Sequence, residues 1–247
     1  MQFDKELLIQ LYYKMLQIRF FEEKIEFGFS RNQIFGTTHL CIGQEAVPAG
    51  VCLNLTDEDY VVSTHRGHGH ALAKGLDSKK MMAEIMGKVT GYCKGKGGTQ
   101  HIACIEKGFL GTNGITGGGI PFAAGAAFTI KYKKRKNVSV CFFGDGATNQ
   151  GTFHETLNMA SMWNLPVVFI CENNLYAMST PVNKTIKTET IAERAKSFGI
   201  KGIKLNGMDV LEIYKNSKEI IEEVKNNHKP IFLEFETYRF KGHSKSD

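Results

Sequence analysis

Two short apolar runs dominate the hydrophobic pattern: Val138-Ser139-Val140-Cys141-Phe142-Phe143 and Pro166-Val167-Val168-Phe169-Ile170-Cys171. Neither alternates with polar residues, as expected of strands buried on both faces. Between them Phe153, Leu157 and Ala160 recur at helical spacing, with Met159, Met162 and Trp163 widening the apolar face. The pattern predicts strand, helix, strand, and the right-handed crossover makes the two strands parallel. Gly144-Asp145-Gly146 closes the first run and Glu172-Asn173-Asn174 follows the second. Asp145 and Asn174 are therefore expected just past the carboxyl ends of parallel strands, where open α/β sheets bind ligands.

The flanking pattern extends the same architecture. A helix is predicted from about residue 4 to 27, capped by Asp4, with Leu7, Leu8, Leu11, Met15, Ile18 and Ile25 on its apolar face and Gly28 as its stop. Residues 60–64 read as a strand, and Ala123-Ala124-Gly125-Ala126-Ala127 as a small-residue helix able to approach a neighbour closely. A helix is predicted over 188–198, strands over 201–205 and 230–238, and a helix capped by Asp209 over 209–226. The expected fold is α/β, a mostly parallel sheet with helices on both faces, in one domain over 1–247.

Composition narrows the class only modestly. At 247 residues, 42% hydrophobic and 23% charged, the chain is long enough to bury a sizeable core. The net charge of +6 is spread thinly, and its one dense basic run, 131–136, reads as a helix end and a solvated loop rather than a nucleic-acid patch. Six cysteines form no Cys-x-x-Cys pair, which predicts reduced thiols. No leader pattern is visible at the N-terminus, and no apolar run approaches the ~18 residues of a membrane span. The expectation is a soluble, cytoplasmic protein with neither a nucleic-acid nor a membrane partner.

Several stretches carry candidate chemistry. Asp145 and Asn174 offer hard oxygen donors of the kind Mg²⁺ takes when it bridges a diphosphate. Either stretch alone is an ordinary turn or loop. Gly91-Tyr92-Cys93-Lys94-Gly95-Lys96-Gly97-Gly98-Thr99 resembles a phosphate-binding loop but fails the Walker spacing, and Gly97 stands where Ser or Thr is needed. Gly117-Gly118-Gly119 follows no clear strand, which weakens a dinucleotide reading. His65-Arg66-Gly67-His68-Gly69-His70 lacks a cysteine or carboxylate to complete a zinc set. Its arginine, beside glycines at a strand end, suits a diphosphate anchor better. His39, alone before an apolar pair, reads on its own as a structural histidine.

Gly146 and Asn173 are separated by 26 residues, and that pairing resembles the thiamine diphosphate signature, Gly-Asp-Gly followed at such a distance by Asn-Asn. The whole stretch GDGATNQGTFHETLNMASMWNLPVVFICENN resembles the alpha subunits of thiamine-diphosphate-dependent 2-oxo acid (pyruvate) and acetoin dehydrogenases, and the likeness runs from about Leu7 to Asp247. The resemblance implies a thiamine-diphosphate-binding fold of the diphosphate type. It implies Mg²⁺ ligands at Asp145, at Asn174 and at the carbonyl of Tyr176. Cofactor contacts are implied at Gly144, Gly146 and Ala147, from the His65-Arg66 pair and Arg239 to the diphosphate, along Gly114 to Thr116 to the aminopyrimidine, and from Met178 to the thiazolium. Gln150 is a candidate supporting residue, and His101 ends a loop near the substrate channel. The Gly-x-x-His-Leu-x-x-Gly-Gln-Glu motif makes His39 an active-site residue. The Tyr-Arg-x-x-Gly-His-Ser-x-Ser-Asp motif does the same for His243 at the catalytic mouth.

The implied activity is that of an alpha subunit which forms a hydroxyethyl unit on the cofactor from pyruvate or acetoin and passes it to a lipoyl-bearing acyltransferase. The His-Arg-Gly-His-Gly-His form is closest to the acetoin branch. The implied partner is a beta subunit carrying the pyrimidine half-site and the activating glutamate, in a complex of two alpha and two beta chains. A branched-chain 2-oxo acid dehydrogenase alpha subunit and a catalytically silent assembly subunit are the alternatives. Family alpha chains continue past the Ser-Asp pair as helices that support the subunit interface, an extension these 247 residues do not contain.

Overall fold

The computed structural model describes residues 3–244. The first half of the chain runs through helices α1 (Lys5–Ser30) and α2 (Ala46–Cys52), strand β1 (Tyr60–Val62), helices α3 (His68–Ala73) and α4 (Ser78–Ile85), strand β2 (Phe109–Gly111) and helix α5 (Gly119–Tyr132). Strand β3 (Ser139–Gly144), helix α6 (Gly151–Met162) and strand β4 (Val167–Asn173) then form the strand–helix–strand unit that the apolar pattern requires. A small hairpin, β5 (Tyr176–Ala177) and β6 (Thr180–Pro181), precedes helix α7 (Ala192–Lys196), strand β7 (Lys201–Asn206), helix α8 (Val210–Asn227) and strand β8 (Ile231–Glu236).

Six strands pair in the order β2-β1-β3-β4-β8-β7, every pair parallel, and the separate hairpin is antiparallel. The lack of alternation in the central strands now has its cause. Val140 and Phe142 of β3 join a core with Ile18, Ile25, Val47, Leu72 and Ile221 from α1, α2, α3 and α8. Cys141 and Phe143 join the opposite core with Ala123, Ala127, Phe153, Leu157 and Ala195 from α5, α6 and α7. Helices cover both faces, so both sets of side chains must be apolar.

The caps behave as expected: Asp4 Oδ1 accepts from Leu7 N at 2.7 Å, and Asp209 Oδ1 accepts from Leu211 N and Glu212 N at 2.9 and 3.2 Å. Gly28 does not stop α1, which continues to Ser30. An added Cβ there would lie 2.7 Å from Ile34 Cδ1, so the glycine makes room for the returning chain. Helix α7 is shorter than the periodicity suggests. Thr188 Oγ1 donates to Thr190 O at 2.7 Å and Glu193 N to Thr190 Oγ1 at 3.2 Å, local bonds that hold the preceding residues as a turn. Strand β2 was missed because its only apolar residues, Phe109 and Leu110, stand between two glycines, yet it is the strand that precedes the triple glycine. All six cysteines are unpaired, and no helix among the described residues is long and apolar enough to cross a membrane.

Candidate active site

A cavity of about 320 Å³ opens beyond the carboxyl ends of β1, β3 and β4. It lies where the chain, having left β1 for the outer strand β2, returns to β3 on the other side of β1. Such a reversal of direction leaves a crevice at the strand ends. His65, Arg66, Thr116, Gly144, Asp145, Gly146, Ala147, Asn174, Tyr176, Met178, Arg239 and His243 all line it. With Gln150, thirteen of the expected residues, from five separate segments, thus meet in one place. Two do not line it. His39 is buried behind the histidines of the rim, and Gly114 sits in the loop beside Gln100 and His101.

Asp145 enters the cavity because β3 ends at Gly144, where a Cβ would meet nothing within 4 Å. At Gly146 a Cβ would lie 2.7 Å from that of Ala177, so only glycine lets the β5–β6 hairpin close over this turn. The Asp145 carboxyl is 3% exposed; burial raises its pKa, while nearby main-chain N–H groups and the charge of Arg239 pull it down. The two asparagines separate cleanly. Asn173 turns away, donating to Glu234 Oε1 at 2.8 Å while its own Oδ1 accepts from Leu175 N at 3.0 Å. Asn174 donates through Nδ2 to Gln44 Oε1 at 3.2 Å, and Gln44 Oε1 also accepts from Thr237 Oγ1 at 3.0 Å. Its amide oxygen is thereby the atom left to face a cation, with Tyr176 N reaching it at 3.4 Å.

Arg66 is 6% exposed and has no carboxylate partner among the described residues. Nη1 donates to Leu40 O at 2.9 Å and Nη2 to His243 O at 2.6 Å, with His243 Nδ1 at 3.2 Å. Burial, helped by the charge of Arg239, lowers the guanidinium to about 10. His65 is driven to about 3, first by burial and then by the charge of Arg66, so its imidazole is neutral. The segment 238–240 is fastened to the loop before α2. Phe240 N donates to Ile42 O at 3.0 Å, and Gly43 lacks the Cβ that would lie 2.4 Å from Tyr238 O. His243 is thus delivered to the cavity; Lys245, Ser246 and Asp247 of the same motif lie outside the described residues.

The run His65 to His70 divides by depth. His65 and Arg66 face the cavity, while His68 is wholly buried between Glu22 Oε1 at 3.0 Å and Thr99 O at 2.9 Å. His70 pairs with Ser63 Oγ at 2.9 Å, stacks on Phe142 and lies 3.3 Å from Glu172 Oε1, without hydrogen-bond alignment. The lysine-rich glycine loop does cradle an anion, and the anion is internal. Glu84 Oε2 accepts from Cys93 N and Gly95 N at 2.7 and 2.9 Å, and Oε1 from Gly97 N at 2.7 Å. Gln100, not His101, carries that loop inward, with Nε2 at 3.3 Å from His39 Nδ1. Gln44, Glu172 and Gln100 are the neighbours that motif reading passed over. Gln44 is itself a position of the Gly-x-x-His-Leu-x-x-Gly-Gln-Glu motif, whereas the only local signal of Glu172 and Gln100 was polarity beside a motif.

The sequence profile of the family described as "Dehydrogenase E1 component" matches residues 13–247. Subunit alpha of the acetoin:2,6-dichlorophenolindophenol oxidoreductase of Bacillus subtilis (strain 168) is 52% identical over 98% of this chain and 73% of its own length. The pyruvate dehydrogenase E1 component subunit alpha of Rickettsia bellii (strain RML369-C) is 44% identical over 98% of this chain and 74% of its own. The fold is also that of transketolase from Campylobacter jejuni, with a TM-score of 0.68, 17% identity, and coverage of 95% of this chain but 38% of that one. The chain belongs to the dehydrogenase E1 component family of thiamine-diphosphate-dependent oxidoreductases, on its alpha-subunit side.

Proposed function

We propose that this chain is the alpha subunit of an acetoin- or pyruvate-type E1 enzyme and holds the diphosphate end of thiamine diphosphate through Mg²⁺. One observation carries the reading: a buried carboxylate, Asp145, and a buried guanidinium, Arg66, line the same cavity, and burial pushes each toward its neutral form. Each needs a counter-charge of opposite sign to the other. A divalent cation bound to a diphosphate meets both needs at once.

Asp145, the oriented amide oxygen of Asn174 and the carbonyl of Tyr176 would hold the cation. Arg66, Arg239 and His65 would bind diphosphate oxygens, Gly144, Gly146 and Ala147 would leave room for them, and Gly114 and Thr116 would meet the pyrimidine. The cofactor, once bound, supplies a nucleophilic carbanion for the substrate carbonyl. Met178 would wall the ring. His243 at the rim and His39 behind it would orient the reacting groups and move protons. Acetoin is the first substrate to test, because the acetoin relative is 52% identical against 44% for the pyruvate one. We further propose a single domain, a beta-subunit partner in a two-alpha, two-beta complex, a lipoyl acyltransferase as acceptor, and a cytoplasmic location, which six unpaired thiols suit.

Calorimetric titration with thiamine diphosphate and Mg²⁺ tests the binding reading, with NAD as the competing ligand. Reconstitution with the beta subunit on acetoin, pyruvate and branched-chain 2-oxo acids tests the substrate. Binding of NAD in place of thiamine diphosphate would overturn the proposal. Binding without turnover on any of the three would leave the silent assembly subunit.

A further inference from the structure

His39, His65 and His243 come from three unrelated segments: the loop before α2, the turn after β1 and the segment after β8. Their ring centroids are 4.6, 4.9 and 5.8 Å apart, and one ring nitrogen of each lies within 4.8 Å of the other two. No other three His, Cys, Asp or Glu groups among the described residues converge in this way. His65 Nε2 is buried and has no hydrogen-bond partner among them. A buried ring nitrogen without a partner is uncommon unless something binds there.

We propose that His39, His65 and His243 form a three-imidazole site for a borderline divalent cation of the Zn²⁺ class, with its fourth position open to the cavity. Neutral imidazole suits Zn²⁺, Cu²⁺ or Ni²⁺, whereas Mg²⁺ takes oxygen donors, so this site and the Asp145–Asn174 donors select different ions. Tetrahedral zinc at ~2.0–2.1 Å from each nitrogen sets the nitrogens roughly 3.3 Å apart, so the rings need close in by no more than about 1.5 Å. Ligation through Nε2 puts a proton on His39 Nδ1 and on His243 Nδ1, opposite the N–H donors of Gln100 and Arg66, and the length of those contacts limits that cost. Arg66 Nη2 lies 3.2 Å from His243 Nδ1 and Gln100 Nε2 lies 3.3 Å from His39 Nδ1, the long end of the hydrogen-bond range. Arg66 keeps its 2.6 Å bond to the main-chain oxygen of His243, and Gln100 its contact with Thr37 O, whichever proton those rings carry. The three-histidine, one-open-position arrangement is one that zinc favours. Metal binding does not depend on the function proposed above. Its consequence does: a cation at the rim occupies the path to the cofactor and inhibits in competition with substrate, and with the diphosphate for His65.

The test titrates the full chain with Co²⁺, then Zn²⁺, in excess Mg²⁺ that occupies the oxygen donors. One Co²⁺ per chain should give the intense visible bands of four-coordinate cobalt, without the thiolate charge-transfer band that Cys93 would add, and Zn²⁺ should erase them. His39→Ala, His65→Ala and His243→Ala should each weaken Zn²⁺ binding by at least roughly 10-fold, and Asp145→Asn should not. Weak six-coordinate cobalt bands in the unmodified chain, which need no variant to fold, would overturn the proposal. So would Zn²⁺ affinities in the histidine variants equal to that of the unmodified chain. Failure of thiamine diphosphate to bind would leave the cobalt spectrum unchanged. Zinc inhibition of the reconstituted complex, relieved by substrate, requires both readings to hold.

Discussion

Glu84→Gln isolates what holds the glycine loop against the site. The Glu84 side chain is wholly buried at the end of α4, and its two oxygens accept the N–H groups of Cys93, Gly95 and Gly97. The loop then presents Thr99 O to His68 and Gln100 to His39, so Glu84 fixes two neighbours of the cavity at one remove. Glutamine keeps the shape but replaces one acceptor oxygen with an NH₂ that faces a main-chain N–H. At least one buried donor then loses its partner, at about 1–3 kcal/mol, and the surviving bonds lose their charge assistance, about 1 kcal/mol more. The expected loss is thus about 2–4 kcal/mol, or roughly 4–16 °C in Tm for a chain of this size. Thermal unfolding followed by circular dichroism measures it. Hydrogen exchange at Cys93, Gly95 and Gly97 should accelerate in parallel. A Tm within about 1 °C of the parent, with protection intact, would refute the claim that the carboxylate organises the loop.

Asp145→Asn should weaken Mg²⁺-dependent thiamine diphosphate binding on the order of 10³-fold, the ~4 kcal/mol of one partly screened charge pair. Because burial raises Asp145, its ionised form costs stability above the ordinary carboxylate range, so the ligand-free variant should melt no lower than the parent. Unchanged calorimetric binding would remove Asp145 from the metal site. His243→Ala should cut turnover of the reconstituted enzyme by about 10²–10⁴-fold with cofactor affinity nearly intact, and normal turnover would make it a bystander. His65, at about 3 when folded against an ordinary 6.5, contributes stability that is full above 6.5 and lost as pH falls toward 3. Near a pH of about 4.5 the loss is roughly 3 kcal/mol, so His65→Gln should move the acid-unfolding midpoint to lower pH, and an unmoved midpoint would contradict it. The isolated chain should show no turnover with thiamine diphosphate and Mg²⁺ until a beta subunit is added; steady turnover without one would refute the split site.

The parts of the fold legible beforehand were those written in local periodicity. Strands β3 and β4 could be read because two covered faces demand unbroken apolar runs. Asp145 and Asn174 followed from them, because a parallel sheet sends its ligand-binding turns to one edge. Gly28 misled because a glycine needed for space looks the same in sequence as one that ends a helix; only Ile34, six residues on, distinguishes them. The choice of Asn174 over Asn173 rested on resemblance alone. What separates the two asparagines physically is Glu234 and Gln44, residues 61 and 130 positions away from the asparagines they hold.

The histidines and the glycine loop show the same limit more sharply. Three histidines within six residues suggest a cluster, yet a turn running into a helix sends His65, His68 and His70 to different neighbours. The cluster that does form takes one of them and adds His39 and His243, whose proximity is created by the sheet edge and by Phe240 bonding to Ile42. The glycine loop fails as a phosphate site on its spacing, yet its N–H groups do surround a carboxylate, that of Glu84. Glycine content can say that such a nest exists. It cannot say that the charge belongs to Glu84 of the same chain, because that depends on a helix docking against the loop. Local chemistry therefore predicts what kind of group a segment needs, and only the packing of distant segments determines which group supplies it.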